Sequence, residues 1–234
     1  MWRRVVATTI IRRSPFFIST LPIFIVALIT RLIRYNSLIS DYNKCAKLIK
    51  STKIDREIIN KNLIRTLIAA EDHRSEMHYG IDQISVIRVI ILRFLTGKVQ
   101  GASTIEQQFV RTVSGRYERT IRRKLREQVL SVMVGRDFSK IQICASYISC
   151  AFFGSGLIGT EGIRAIKAKP EYLGDESIIA CLKYPMPLNP AKEYLEIYFQ
   201  RVIHIQRLMA PHGKTKKYAG LFSAASRARK PQTS

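Results

Sequence analysis

Three short stretches hold residue types whose spacing could do chemistry. From Ala69 to Asp82 the chain reads AAEDHRSEMHYGID, with adjacent carboxylates, Glu71 and Asp72, at the end of an apolar run and with His78 and Gly80 close behind. Carboxyls at the end of a buried helix are partly desolvated, which suits proton transfer as a general base. Exposed surface acids would show the same pattern and do nothing. From Gly101 to Arg111 the chain reads GASTIEQQFVR, with Ser103 and Thr104 ahead of Gln107 and Gln108. Such side chains and their loop backbone can hydrogen-bond sugar hydroxyls, amides or phosphate oxygens. From Arg119 to Ser131, RTIRRKLREQVLS sets Glu127 among Arg123, Lys124 and Arg126. A carboxylate held by cations stays ionised, and those cations can also hold a phosphate, arginine as a fork and lysine as a point charge.

The elements that must position these residues read as helices. Ile58, Ile59, Leu63, Leu67 and Ile68 recur at helical spacing between Asp55 and Ala70, just ahead of the paired carboxylates. Ser85 to Leu95 is a second helix, with Val86, Val89, Ile90 and Phe94 expected inward. Glu118 to Val134 is a third, basic at its start and apolar afterwards, and Lys140 to Phe153 is apolar enough to be central. Asn189-Pro190 reads as an N-cap followed by proline at the first helical position. The helix after it carries Tyr194, Tyr198, Val202, Ile205 and Met209 and stops at Pro211. Strand signals are scarce. Glycine-containing loops are expected at 97–101, at 154–162 and around Gly174, and the polar, basic segment 223–234 reads as a disordered tail.

Composition bounds the function. The 234 residues carry 39 Lys+Arg against 17 Asp+Glu, a formal charge of +22, which calls for an anionic partner or surface. Nucleic acid is disfavoured: in the densest basic run, Arg116 to Arg126, only Tyr117 offers a ring for stacking. Gly213-Lys214-Thr215 lacks the upstream glycine of a phosphate loop. Cys45, Cys144, Cys150 and Cys181 lack zinc-site spacing and read as small buried residues, and His73 and His78 miss the i, i+4 spacing of a helical metal pair. At the amino terminus a basic segment, 1–13, with Arg3, Arg4, Arg12 and Arg13, precedes an apolar stretch, 14–33. Ser14 to Thr30 holds no charge, close to the lower limit for crossing a bilayer, and Arg31 and Arg34 can snorkel at its far end. Pro22 should kink this span. No small-residue cleavage site follows it, so an uncleaved single-pass anchor is expected, with its amino terminus inside and the body outside. A buried core helix is the competing reading of the same stretch.

Together the three stretches resemble the motifs of the family 51 peptidoglycan glycosyltransferases, found as monofunctional biosynthetic transglycosylases and as a domain of class A penicillin-binding proteins. The E-D-x-x-F-x-x-H-x-G motif is matched by Glu71, Asp72, His78 and Gly80, and G-x-S-T-I-x-Q-Q by Gly101, Ser103, Thr104, Ile105, Gln107 and Gln108. The basic R-K-x-x-E motif is matched by Arg123, Lys124 and Glu127. Tyr147 with Gly154 and Gly159, then Pro185, Pro187, Asn189 and Pro190, follow in the family's order. The likeness runs from about Arg56 to Met209. Departures are Ser75 for phenylalanine, Ala145 and Ser149 for glutamate and asparagine, Lys167-Ala168 for a Tyr-Phe pair, Arg111 for lysine, and Glu106 for Thr or Ser, which sets an acid near the supposed pyrophosphate site.

The resemblance implies a mainly α, lysozyme-like glycosyltransferase domain over 45–215, behind one transmembrane helix at a bacterial inner membrane, with the catalytic domain on the periplasmic face. It implies polymerisation of lipid II with release of undecaprenyl pyrophosphate. Glu71 would be the general base and Glu127 the acid that positions cations. Arg111, Arg119, Lys124 and Arg126 would neutralise the pyrophosphate, while Asp72, Ser103, Thr104, Gln107 and Gln108 would bind substrate. A divalent cation, Mg or Mn, near Glu127 is an expectation, and no organic cofactor is. The expected partners are lipid II, the growing glycan strand, the membrane and other cell-wall enzymes such as transpeptidases, with no nucleic acid. No transpeptidase domain is read after Met209. Two rivals share the fold: a glycan-cleaving enzyme, which would need only one acid and a water, and a degenerate membrane-anchored paralogue that binds lipid II or wall enzymes without polymerising. The pyrophosphate-directed basic cluster argues against the first, and the motif departures motivate the second.

Overall fold

The computed structural model describes residues 2–52, 55, 57–97, 101–169 and 172–210, with side chains from Ser14 onward. The chain is mainly α, in keeping with the expected lysozyme-like class. Ten helices and one short hairpin are formed by the described residues: α1 (Trp2–Leu32), α2 (Asn36–Ser51), α3 (Lys61–Glu71), α4 (Gln83–Thr96), α5 (Ile105–Ser114), α6 (Ile121–Asp137), α7 (Lys140–Cys150), β1 (Phe152–Gly154), β2 (Leu157–Ile158), α8 (Gly159–Lys167), α9 (Asp175–Lys183) and α10 (Lys192–Met209). The tail at 223–234, the domain's expected end at 215, the stop at Pro211 and Gly213-Lys214-Thr215 lie outside the described residues, as do the side chains of Arg3, Arg4, Arg12 and Arg13.

Helix α5 is the hub. It packs between α6 and α7, with Ile105, Phe109 and Val110 on its buried face. Around it Leu130, Met133, Ile143, Cys144 and Ile148 are at most 2% exposed and close one core. Helix α3 rests on α9 and α10 and buries Leu63 and Leu67. It is shorter than the spacing suggested. Ile58 and Ile59 are buried, but they lie in a turn, and the helix starts after Asn60, whose side chain caps the Leu63 N–H at 2.8 Å. Helix α7 also ends early: its apolar run turns into β1, which pairs antiparallel with β2. Of the cysteines, Cys45, Cys144 and Cys181 are buried as expected, and Cys150 is half-buried.

The expected cap at Asn189-Pro190 is not used. Helix α10 starts at Lys192 after Ala191, which offers no side-chain cap. The inward face expected for α4 is overturned at Ile90 and Phe94, while Val86 and Val89 are half-buried. Phe94 is 85% exposed, and Ile87, Ile90, Ile91 and Leu95 are exposed with it. Helix α4 packs against α1 instead of entering the core.

Helix α1 runs unbroken from Trp2 through Pro15 and Pro22, so the basic segment is continuous with the apolar one. Residues Ser14–Leu32 are long and apolar enough to cross a membrane, with mean hydropathy 1.9. One stripe, Phe16, Thr20, Ala27 and Thr30, is buried, while Ile18, Ile25, Ile29 and Leu32 on the remaining surface are exposed. The buried stripe lies on the domain: the Arg136 guanidinium stands 5.3 Å from the centre of the Phe24 ring, and Arg31 and Tyr42 both bond to Asp137. The competing core-helix reading accounts for this stripe but not for the exposed apolar remainder.

Candidate active site

Glu71 is the last residue of α3, and Asp72 is its C-cap. The two carboxylates part company there. Asp72 turns inward, 6% exposed, and its Oδ1 lies 2.8 Å from His78 Nε2. Its Oδ2 accepts from the Ile105 N–H at 3.3 Å and from Lys140 Nζ at 3.2 Å. Burial alone would raise this carboxyl, but His78, Lys140 and the backbone donor together hold it below its ordinary 3.8. Asp72 therefore ties the loop after α3 to the start of α5 and to α7, as a buried positioning group rather than a surface for substrate.

The loop between Asp72 and Asp82 is folded down onto α6 at Gly80. This glycine has φ +89°, and a Cβ there would stand 2.2 Å from the Ser131 carbonyl oxygen. Only a residue without a side chain lets the loop approach so closely, and the Thr104 hydroxyl then donates to the Gly80 carbonyl at 2.7 Å. Gly80→Ala is expected to destabilise the fold by about 3 kcal/mol, from backbone strain plus overpacking. Urea denaturation monitored by circular dichroism checks this.

Glu71 turns the other way, towards α5 and α10. Its Oε2 accepts from Gln108 Nε2 at 3.0 Å, and its Oε1 from Arg201 at 2.7 Å. Gln108 Oε1 in turn accepts from the Tyr147 hydroxyl at 2.7 Å. Burial and the Glu71 charge push the Tyr147 phenol up, so it remains a donor and fixes which way the Gln108 amide faces. One turn along α5, Arg111 donates to both oxygens of Glu127 at 3.2 Å. Gln108 and Arg111 are three residues apart, so one face of α5 holds both glutamates.

Glu127 is 3% exposed and ringed by cations. Lys124 Nζ lies 2.8 Å from Oε1, and Arg123 bonds Oε2 from the preceding turn of α6. Burial would raise the Glu127 carboxyl, but Arg111 and Lys124 hold it below its ordinary 4.5. Burial also pulls the Lys124 ammonium below 10.5, against the pull of Glu127. The Ser103 hydroxyl accepts from Arg111 at 3.3 Å and from Lys124 at 3.1 Å. Three cations against one carboxylate leave the cluster net positive and partly open, with the Arg111 and Lys124 side chains 30% and 34% exposed. Such a site suits a doubly anionic group.

The ring does not suit a resident metal. Both Glu127 oxygens are engaged by cations that would repel a divalent ion, so the metal expected near Glu127 finds no free donor set there. A second cluster, Asp72, His78 and Glu106, has oxygen and nitrogen donors close enough for a metal. The Lys140 ammonium already lies 2.5 Å from Glu106 and 3.2 Å from Asp72 and supplies the positive charge.

Several residues expected to bind substrate do something else. Thr104 and Gln107 form the capping box of α5 and are buried at 2% and 1%. Arg126 reaches α2, where it bonds Asp41 at 2.7 Å and the Ser37 carbonyl. Arg119 is exposed. Glu106, expected near the pyrophosphate site, is buried and paired with Lys140. Ser103, Gln108, Arg111 and Lys124 do converge on the two glutamates. Lys140, Tyr147 and Arg201 were not expected to bond the site's carboxylates or Gln108. Arg123 was legible, being four residues before Glu127 on one helix face. Tyr147 belongs to the apolar run read as central and is buried there, but its hydroxyl bonds Gln108.

The depressed carboxyls fix an acid limit. A carboxyl below its ordinary value stabilises the fold fully above that value and loses the contribution as pH falls through the depressed one. The melting temperature is expected to hold between about pH 7 and 5 and to fall below about pH 4 as Glu127 and Asp72 protonate. Thermal melts across that range check it.

The described residues form a helical domain in which α5 links a helix-end carboxylate, Glu71, to a cation-ringed one, Glu127. The model of the family described as Transglycosylase matches residues 38–169, more than half of the chain. Penicillin-binding protein 1A of Rickettsia prowazekii (strain Madrid E) is 32% identical over 182 residues, 71% of this chain and 23% of that protein. Penicillin-binding protein 1A of Aquifex aeolicus is 34% identical over 138 residues, 57% of this chain and 19% of that protein. Penicillin-binding protein 1F of Bacillus subtilis (strain 168) is 36% identical over 104 residues, 44% and 15%. This chain belongs to the transglycosylase family. It spans about a quarter or less of the length of these relatives.

Proposed function

We propose that this chain is a membrane-bound peptidoglycan glycosyltransferase that polymerises lipid II. The observation that carries the reading is the single face of α5 that holds Glu71 through Gln108 and Glu127 with its cations through Arg111. Glu71 takes the proton from the 4-hydroxyl of the acceptor sugar. That oxygen bonds to the anomeric carbon of the lipid-linked chain with inversion, and the bond from that carbon to pyrophosphate breaks. The leaving undecaprenyl pyrophosphate carries the negative charge to Arg111, Arg123 and Lys124, which lie where charge develops and are held ready by Glu127. Ser103 extends that ring. No step needs a metal at Glu127.

The membrane part of the reading rests on two apolar surfaces side by side. Ser14–Leu32 is the candidate span, and α4, packed against it, exposes Ile87, Ile90, Ile91, Phe94 and Leu95. Both would lie in lipid, with the amino terminus inside and the domain on the periplasmic face. The motif departures that motivate a non-polymerising paralogue are packing positions: Ser75 and Ala145 are buried, and Ser149 bonds the Ser146 carbonyl on its own helix. None of these three touches Glu71 or Glu127, and Arg111, the departure that does touch Glu127, keeps a cation there.

Incubation of detergent-purified protein with labelled lipid II and gel separation of the products tests the proposal. A ladder of glycan strands is expected. Bound but unpolymerised lipid II would instead support the paralogue, and short cleaved glycan from preformed strands would support a hydrolase.

A further inference from the structure

Arg201 lies on α10, beyond the residues matched by the family model, and yet touches the carboxylate at the centre of the site. It sits at the edge of the buried face made by Tyr198, Val202 and Ile205. One of its terminal nitrogens donates to Glu71 Oε1 at 2.7 Å and to the Ala70 carbonyl at 3.0 Å. Its Nε is buried and has no hydrogen-bond partner among the described residues. Leaving a buried donor unpaired carries a cost, so the side chain keeps this pose for what its terminal nitrogen does.

We propose that Arg201 is the positioning residue of the general base. A guanidinium is always charged and lies here at the carboxyl end of α3, where the open carbonyls and the helix dipole favour a cation. Arg201 holds one oxygen of Glu71 and Gln108 holds the other, from different helices. The carboxylate is thereby fixed in orientation, with a second lone pair on each oxygen for the acceptor hydroxyl. Arg201 bonds Glu71 rather than Glu127 or its cations, and so acts on proton transfer rather than on the hold on pyrophosphate. This inference rests on the reading of Glu71 as base.

The test is steady-state polymerisation of labelled lipid II by wild type, Arg201→Ala, Arg201→Lys and Glu71→Gln, with melting temperatures for each. Arg201→Ala is expected to lower kcat by about 10- to 100-fold, the range for a slightly misplaced catalytic group, with KM for lipid II unchanged. Arg201→Lys, which keeps the charge but not the fork, is expected to recover part of that loss. A wild-type kcat in Arg201→Ala overturns the proposal. So does a loss in both variants that merely follows a collapsed melting temperature, since that marks a structural tie between α10 and α3. Activity retained by Glu71→Gln would instead sink the base assignment, whatever the Arg201 variants do.

Discussion

Glu71→Gln is expected to lose about 1,000-fold or more in the rate of glycan polymerisation while keeping its fold. The size follows from what a positioned base contributes, about 100- to 10,000-fold. The fold survives because the surroundings can re-pair. A glutamine oxygen at position 71 still accepts from Arg201. Its amide can donate to Gln108 once the Gln108 amide turns over, and the Tyr147 hydroxyl can then accept instead of donate. The melting temperature should therefore stay close to wild type while turnover disappears. Equal losses of both would mean that Glu71 matters as a tie between α3, α5 and α10.

Glu127→Gln is the second large effect, and it should show in both stability and activity. The wild-type carboxylate is 3% exposed and accepts from Arg111, Arg123 and Lys124. Removing its charge leaves three cations facing one another. Breaking a buried pair by removing one partner costs about 3–5 kcal/mol, and because Arg111 and Lys124 are partly solvated the lower end, about 3 kcal/mol, is expected here. The cations would spread and no longer meet the leaving group together, so activity should fall about 100-fold. An anion can stand in for the lost acid. Inorganic pyrophosphate should raise the melting temperature of Glu127→Gln by more than it raises that of wild type. An equal rise in both would show that pyrophosphate does not enter the ring.

Much of this was legible in the sequence, for identifiable reasons. Glu71 ends a helix whose apolar residues recur every three or four positions, and two of the Glu127 cations, Arg123 and Lys124, lie about one turn before it on α6. Those are local facts, and sequence displays local facts. Thr104 and Gln107 show how a motif can mislead. Their T-x-x-Q spacing is a capping-box signature, and the fold uses them to start α5, which in turn aims Gln108 and Arg111. Their part is indirect but upstream of the site. The reading of α4 failed for a different reason. Helical spacing of Val86, Val89, Ile90 and Phe94 reports an apolar face, and the same pattern serves a protein core or a lipid surface. Arg201 had no local signal at all. It meets Glu71 across 130 residues of chain, and only the packing of α10 on α3 brings them together.

The central claim is that Glu71 drives strand synthesis at a membrane-held site. The most direct measurement follows elongation from labelled lipid II by wild type and Glu71→Gln, both folded by their melts, under the same conditions. The account predicts long glycan strands from wild type and none from the variant, although both bind lipid II. Strands of equal length and rate from the two proteins would contradict it.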